Sequence, residues 1–378
     1  MKIGILTFNW AINYGAVLQM YAEYKYLNKN NEVFIINYVP DNLTALYSTK
    51  ILDKPLKFKS VVRKMLQKPI KYKQNKKFKE FINKNMILTE EAKNRDDLLK
   101  IINKLDLVVV GSDQVWNYDI TKGYLKNYLL SDINCSKISY AASLGKNDIR
   151  SEFVELFKKS LKDFDFISLR EEASIEYLNE ICKRGDYKLC IDPVFLLNKE
   201  DWETIARKSD YKLPNKEYIL IYMLECDTNL TKIAKYLSKI HNIPIISIEI
   251  PYLRFKKEMK GIKKLHDVGP IDFVKLFLNS KYILTNSFHG TAFSLIFNKQ
   301  FISFTHSTVN LRIQNLLKLY GLENNQITDS IKDIDIVKEI LENNKKAYYI
   351  PNKEVDNIIE VSKKYLDDAI REIANRSK

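Results

Sequence analysis

The feature that most constrains this chain is a series of short, continuous apolar runs, each cut off by a polar turn. Leu105 to Val110 stops at Gly111-Ser112-Asp113, Ile138 to Ala142 stops at Ser143-Leu144-Gly145, and Phe166 to Leu169 stops at Arg170-Glu171-Glu172. A strand with one wet face alternates polar and apolar residues. A strand that is apolar at every position is buried on both faces, as in a parallel sheet covered by helices. Ligands of such sheets gather at the carboxyl ends of the strands. Three strands that deliver polar residues at the same end therefore predict one wall of a cleft.

The same grammar runs through the rest of the chain. Ile3 to Phe8 is an apolar run that enters the polar loop Asn9 to Gly15, helical spacing follows over Ala16 to Leu27, and Val33 to Tyr38 is the next strand. Cys190 to Leu196 reads as the last strand and exit of a first domain. A second series then begins at Tyr218 to Leu224 and continues through Ile243 to Ile248, Tyr282 to Thr285 and Phe301 to Phe304. Helices are predicted over Phe273 to Leu278 and Gly290 to Phe297. Asn352 to Ala374 carries apolar residues at helical spacing, a long amphipathic helix. The prediction is an α/β protein of two Rossmann-like domains facing a cleft, residues 1–200 and 201–345. Residues 346–378 would add a C-terminal helix that packs across the domains.

With 378 residues the chain can bury two cores, and its 46% apolar content excludes a disordered protein. No apolar run approaches the roughly 18 residues of a membrane span, and Met1 to Thr7 reads as a strand rather than a signal peptide, so a cytoplasmic location is expected. Cys135, Cys182, Cys190 and Cys226 are scattered and form no CxxC pair. Reduced thiols and no metal site are the expectation. The net charge of +14 is densest from Lys54 to Lys79. That stretch can be a solvated lysine-rich helix or a peripheral contact with anionic lipid at the inner face of the membrane. No nucleic-acid module accompanies the charge, so nucleic acid is not expected as a partner.

Chemistry concentrates in Tyr282-Ile283-Leu284-Thr285-Asn286-Ser287-Phe288-His289-Gly290-Thr291-Ala292. Here a strand runs into a polar turn and a helix rich in small residues. Backbone N–H groups at a helix start attract anions, small residues permit close approach, and His289 brings a ring suited to proton transfer near neutral pH. A capping or core histidine is the alternative. Asn13 and Gly15 suit an anion or a sugar hydroxyl near a helix start. No GxGxxG or GxxxxGK occurs, so a dinucleotide or P-loop site has no support. Gly111 to Asn117 combines a carboxylate, amides and the Trp116 indole, a mixture that carbohydrate sites favour; turn chemistry alone is the other reading. Arg170 can take a carboxylate or phosphate in bidentate fashion, or pair with Glu171, Glu172 or Asp192. Arg312 is a weaker ligand candidate, as is His306; His241 and His266 lack supporting context.

Six pieces in order resemble the polysaccharide pyruvyl transferase family: Asn13 to Gln19, Val110 to Asn117, Ser139 to Ser143, Ser168 to Ser174, Asp192 to Leu196, and Thr285 to Ser294. The resemblance implies a glycosyltransferase B-like fold. It implies phosphoenolpyruvate as donor substrate without a further cofactor, a hydroxyl pair of a sugar or lipid-linked oligosaccharide as acceptor, and a pyruvyl ketal as product. It casts His289 as general acid. Arg170, Ser287, Gly290, Thr291 and Arg312 would bind the donor, and Asn13, Tyr14, Gly15, Ser112, Asp113 and Trp116 the acceptor. Many members read Arg-Leu-His where this chain reads Ser287-Phe288-His289, so either Arg170 or Arg312 supplies the missing guanidinium or the donor differs. The alternatives are a sugar-nucleotide glycosyltransferase, with Glu225 or Glu249 on the ribose, and a non-catalytic sugar-binding assembly protein.

Overall fold

The computed structural model describes residues 1–376 apart from 41–42, 44–57, 147, 214–215, 250–258, 306–310, 328–336 and 343–351, with side chains undescribed over 58–71. Among the described residues are twelve strands: β1 (Lys2–Leu6), β2 (Glu32–Ile35), β3 (Leu107–Asp113), β4 (Lys137–Ala142), β5 (Phe166–Leu169), β6 (Lys188–Leu189), β7 (Ile219–Tyr222), β8 (Ile245–Ile248), β9 (Lys263–Leu265), β10 (Tyr282–Thr285), β11 (Gln300–Phe304) and β12 (Gln326–Ile327). Helices of eight or more residues are α1 (Tyr14–Leu27), α2 (Phe58–Asn85), α3 (Arg95–Ile102), α4 (Ser151–Lys162), α5 (Glu172–Cys182), α6 (Lys199–Arg207), α7 (Thr228–His241), α8 (Pro270–Asn279), α9 (Phe288–Ile296), α10 (Leu311–Leu319) and α11 (Lys353–Arg376).

The strands form two six-stranded sheets in which every pair is parallel, as the continuous apolar runs require. Val108, Val109, Val110, Ile138, Ile219, Leu220, Ile283 and Leu284 are all fully buried, so neither face of a central strand meets water. The order of the first sheet is β2-β1-β3-β4-β5-β6. From the β9 edge, the second runs β9-β8-β7-β10-β11-β12. Each order reverses direction once, between β1 and β3 in the first sheet and between β7 and β10 in the second. At such a switch point the connections leave to opposite sides and open a crevice beyond the strand ends.

Two compact units enclose these sheets. The first holds Met1–Ser48, Ile82–Leu197 and Asp356–Lys378; the second holds Thr49–Phe81 and Asn198–Val355. The sequence places the division three residues later and gives 1–200 wholly to the first domain. The difference arises in α2, where Lys77 pairs with Asp272 at 2.7 Å and its ammonium lies over the Tyr211 ring, tying that part of the helix to the second unit. The sequence also predicts that the C-terminal helix packs across the domains; from Asp356 onward α11 is part of the first unit, and Lys353–Val355 are part of the second. Tyr365 donates to Ser139 O at 2.8 Å, Ser362 Oγ accepts from Ile191 N at 2.9 Å, and Leu366, Ala369 and Ile373 are buried. Cys190 to Leu196 is not a strand either: β6 ends at Leu189, and Pro193–Leu196 forms a 3-10 turn capped by Asp192. Among the described residues no helix is long and apolar enough to cross a membrane.

Candidate active site

The second unit's switch point is built by the residues that follow β7 and β10. Tyr222 and Thr285 are register partners, and Thr285 Oγ1 donates to Tyr222 O at 2.7 Å. One residue further on, Asn286 clamps the neighbouring loop: its Oδ1 accepts from Leu224 N at 2.7 Å and its Nδ2 donates to Glu225 O at 2.9 Å. Both strand ends are thus fixed by a single amide. Ser287 caps α9, accepting from Gly290 N at 3.3 Å. His289 follows in the first turn, where the helix dipole favours negative charge in a ligand. Its side chain is 9% exposed and its ring stands edge-on to Phe288 at 5.2 Å. The other face of this arrangement is cationic, since the Arg312 guanidinium from α10 lies over the Phe288 ring at 5.7 Å. His289 and Arg312, separated by 23 positions in sequence, are thereby joined through one aromatic side chain.

Three of the predicted donor ligands turn out to hold the turn together. The Ser287 hydroxyl is occupied as the helix cap. A Cβ on Gly290 would lie 2.2 Å from Thr285 Oγ1, so glycine is needed here for α9 to pack on β10 rather than for a ligand's approach. Thr291 is fully buried, its hydroxyl shared between Ser287 O at 3.1 Å and Ser303 Oγ at 2.7 Å. Arg170 also departs from the donor role. In the first unit its Nη1 pairs with Asp192 Oδ2 at 2.9 Å, its Nη2 donates to Ser112 Oγ at 2.7 Å, and the side chain is 3% exposed. The salt bridge that the sequence left as the alternative is the one formed. His306 lies outside the described residues.

Around Arg170 the first unit carries a buried polar network that the sequence reading missed. Ser112 Oγ accepts from Arg170 and donates to Ala141 O at 2.7 Å, while Ser112 N donates to Glu23 Oε2 at 3.2 Å. Glu23 is fully buried, and desolvation holds its carboxyl well above its ordinary range, helped by the nearby Asp192 charge and opposed by the Ser112 N–H and Arg170. The available signal was local: Gln19 and Glu23 stand four apart on a helix otherwise buried through apolar residues. The network surrounds backbone held in the left-handed region at Gly111 (φ 122°), Asp113 (φ 75°) and Ala141 (φ 44°). For an alanine that conformation costs about 1–2 kcal/mol.

The predicted acceptor residues separate accordingly. Trp116 is a core side chain, 2% exposed, with its N–H on Tyr128 O at 3.2 Å and its ring edge-on to Phe157 and Phe164, so no indole face is presented. Ser112 belongs to the buried network. Tyr14 and Gly15 are buried in the first turn of α1, and Asn13 caps that helix by accepting from Ala16 N at 3.2 Å. Asn13 and Asp113, the last residue of β3, remain partly exposed.

Two doubly wound parallel units of this kind define an α/β protein like the glycosyltransferase B group. Solved structures with this fold include the UDP-GlcNAc 2-epimerase of Methanocaldococcus jannaschii, 14% identical with a TM-score of 0.51 over 96% of this chain and 99% of that one. The UDP-N-acetylglucosamine 2-epimerase of Rickettsia bellii is 15% identical with a TM-score of 0.52 over 99% and 97%. A putative UDP-N-acetylglucosamine 2-epimerase of Listeria monocytogenes is 12% identical with a TM-score of 0.53 over 97% of each chain. No curated protein matches the chain in sequence. The chain belongs to the polysaccharide pyruvyl transferase family, which matches residues 13–308.

Proposed function

We propose that this protein transfers the pyruvyl group of phosphoenolpyruvate to two hydroxyls of a sugar in a cell-surface polysaccharide or its lipid-linked precursor. The observation that carries the reading is the placement of His289, in a family-matched segment, at the second unit's switch point with the Arg312 guanidinium close by. Phosphoenolpyruvate presents a carboxylate and a phosphate, for which a guanidinium and the start of α9 are suited partners. The enol carbon gains a proton from His289 as the first hydroxyl oxygen adds to the neighbouring carbon. Phosphate then leaves as the second hydroxyl closes the ketal. The two hydroxyl protons balance the one gained by the methyl carbon and the one carried off with phosphate. With Arg170 committed to Asp192, Arg312 is the guanidinium that replaces the arginine absent before His289.

Phosphate release in the presence of phosphoenolpyruvate and galactose- or mannose-type acceptors tests the reading. His289→Ala should lower the rate by about 10²–10⁴-fold while thermal unfolding is kept; an undiminished rate would remove His289 as the acid. A second reading follows from the similar UDP-GlcNAc 2-epimerases, which are named for a sugar nucleotide: a sugar-nucleotide transferase. Glu249, just past β8, is its candidate ribose ligand, yet burial raises its pKa and Lys264 stands 3.8 Å away. A thermal shift with UDP-GlcNAc and none with phosphoenolpyruvate would favour that reading. We also propose a cytoplasmic location with peripheral contact to anionic lipid through α2, where Lys73, Lys76 and Lys79 are exposed. Sedimentation with anionic liposomes should fall when these lysines are reversed to glutamate.

A further inference from the structure

We propose that Phe288 is the positioning residue of the second unit's anion site: its ring is the platform that sets the Arg312 guanidinium beside the start of α9, where the donor's anionic groups are taken. The inference rests on the pyruvyl-transfer reading for the identity of that anion, and not for the pairing of ring and guanidinium. Phe288 falls within the family match, whereas Arg312 lies beyond residue 308, where the match ends. The pair is therefore read from the packing of α9 against α10.

The aromatic residues of α9 and its C-cap divide between two tasks. Phe293 is fully buried, its ring edge-on to Trp202 at 4.9 Å and to Phe273 at 5.8 Å, and it stacks on Phe297 at 6.0 Å. That cluster joins α9 to α6 and α8 through apolar contact alone. Phe288 stands at the first helical position after the Ser287 cap and touches two groups of other chemistry, the His289 ring at 5.2 Å and the Arg312 guanidinium at 5.7 Å. Phe293 serves the core; Phe288 serves a cation.

Arg312 needs such a partner because of where it stands. It is the second residue of α10, and the partial positive charge of a helix start repels a guanidinium. Neither α9 nor α10 has an acidic residue in its first turn to offset that repulsion. The face of a phenyl ring carries negative potential and attracts the cation. A leucine would fill much of the same space without that attraction. A guanidinium held by its face also keeps its in-plane fork of N–H groups in the geometry that suits a carboxylate or phosphate. The cation of one helix start is thus held at the start of another, and the ring fixes the distance.

The test measures binding of phosphoenolpyruvate and of inorganic phosphate to the full chain by titration calorimetry, alongside KM for donor and acceptor. Phe288→Leu keeps an apolar side chain and removes the ring face. It should weaken both anions by about 3- to 30-fold and raise the donor KM with the acceptor KM unchanged. A residue that only fills space would lower stability without that split. Phe288→Tyr, which keeps the ring face, should restore the donor KM. Trifluorophenylalanine at position 288 keeps the shape and weakens the ring face, so it carries the test if circular dichroism shows the leucine variant unfolded. Arg312→Lys should weaken the same anions, and combining it with Phe288→Leu should add little, because both remove one interaction. Anion affinities and donor KM unchanged in the folded ring variants overturn the inference, as do losses that simply add. A wild-type protein that binds phosphate but neither binds phosphoenolpyruvate nor releases phosphate from it overturns the pyruvyl-transfer reading, and the phosphate affinities of the variants still decide the role of Phe288. A wild-type protein that binds neither anion overturns both.

Discussion

The two switch points solve one problem with different materials. Beyond β7 and β10, neutral groups do the work: the Thr285 hydroxyl, the Asn286 amide and the Ser287 cap join the strand ends, with His289 in the next turn and Arg312 over the Phe288 ring. Beyond β1 and β3, charge is buried: Arg170 and Asp192 pair at 2.9 Å beneath Ser112, with the Glu23 carboxyl alongside. Neutral hydrogen bonds each contribute about 1 kcal/mol and tolerate small displacements. A buried ion pair contributes little net stability, yet losing one partner leaves an uncompensated charge. The first site is therefore more sensitive to mutation and pH than the second. Its left-handed backbone at Asp113 and Ala141 must be held against strain, whereas the second site rests on an ordinary strand-to-helix turn.

The sharpest way to break this contrast is Asp192→Ala, which strips the counter-charge from the buried Arg170. A loss of about 3–5 kcal/mol is expected in urea unfolding, and a loss under 1 kcal/mol would show that the pair is not the keystone described. Next, Gly290→Ala forces a methyl against Thr285 and should cost about 1–3 kcal/mol. Combining it with Thr285→Ala should give a non-additive result, because the two side chains compete for one space. Ser287→Ala removes only a helix cap, for about 1 kcal/mol by thermal unfolding, the modest price of a neutral contact.

The subtlest test concerns protons. Glu23 in the folded chain keeps its proton above the ordinary carboxylate value of 4.5, where the unfolded chain has lost it. Folding therefore takes up a proton, and this group's contribution to stability declines as pH rises from 4.5 toward the raised folded value. Glu23→Gln should remove that decline. Its melting temperature should differ least from wild type near pH 4.5, and the gap in favour of the variant should widen toward neutral and alkaline pH. A parallel pH dependence in both proteins would show that the buried carboxyl is not the source.

Much of this molecule is legible in its residues. The apolar run Leu105 to Val110 has to be a strand buried on both faces, and the polar groups at its end have to mark the crevice end of the sheet. The periodicity of Ala16 to Leu27 and of Asn352 to Ala374 was enough for the helices α1 and α11. His289 was legible as a candidate because its neighbours, a strand behind and small residues ahead, are a local pattern. What the sequence could not decide was which polar residues face a ligand and which face each other. Trp116 has a sugar-binder's composition around it, yet Tyr128, Phe157 and Phe164 enclose it from segments up to 48 positions away. Arg170 finds Asp192, Ser112 and Gln19 only when α1, β3 and the turn after β6 are assembled. Arg312 reaches Phe288 only once α10 packs beside α9. Strand burial follows from hydrophobicity, which each residue carries with it; the pairing of charges and rings depends on distances that only the folded chain sets.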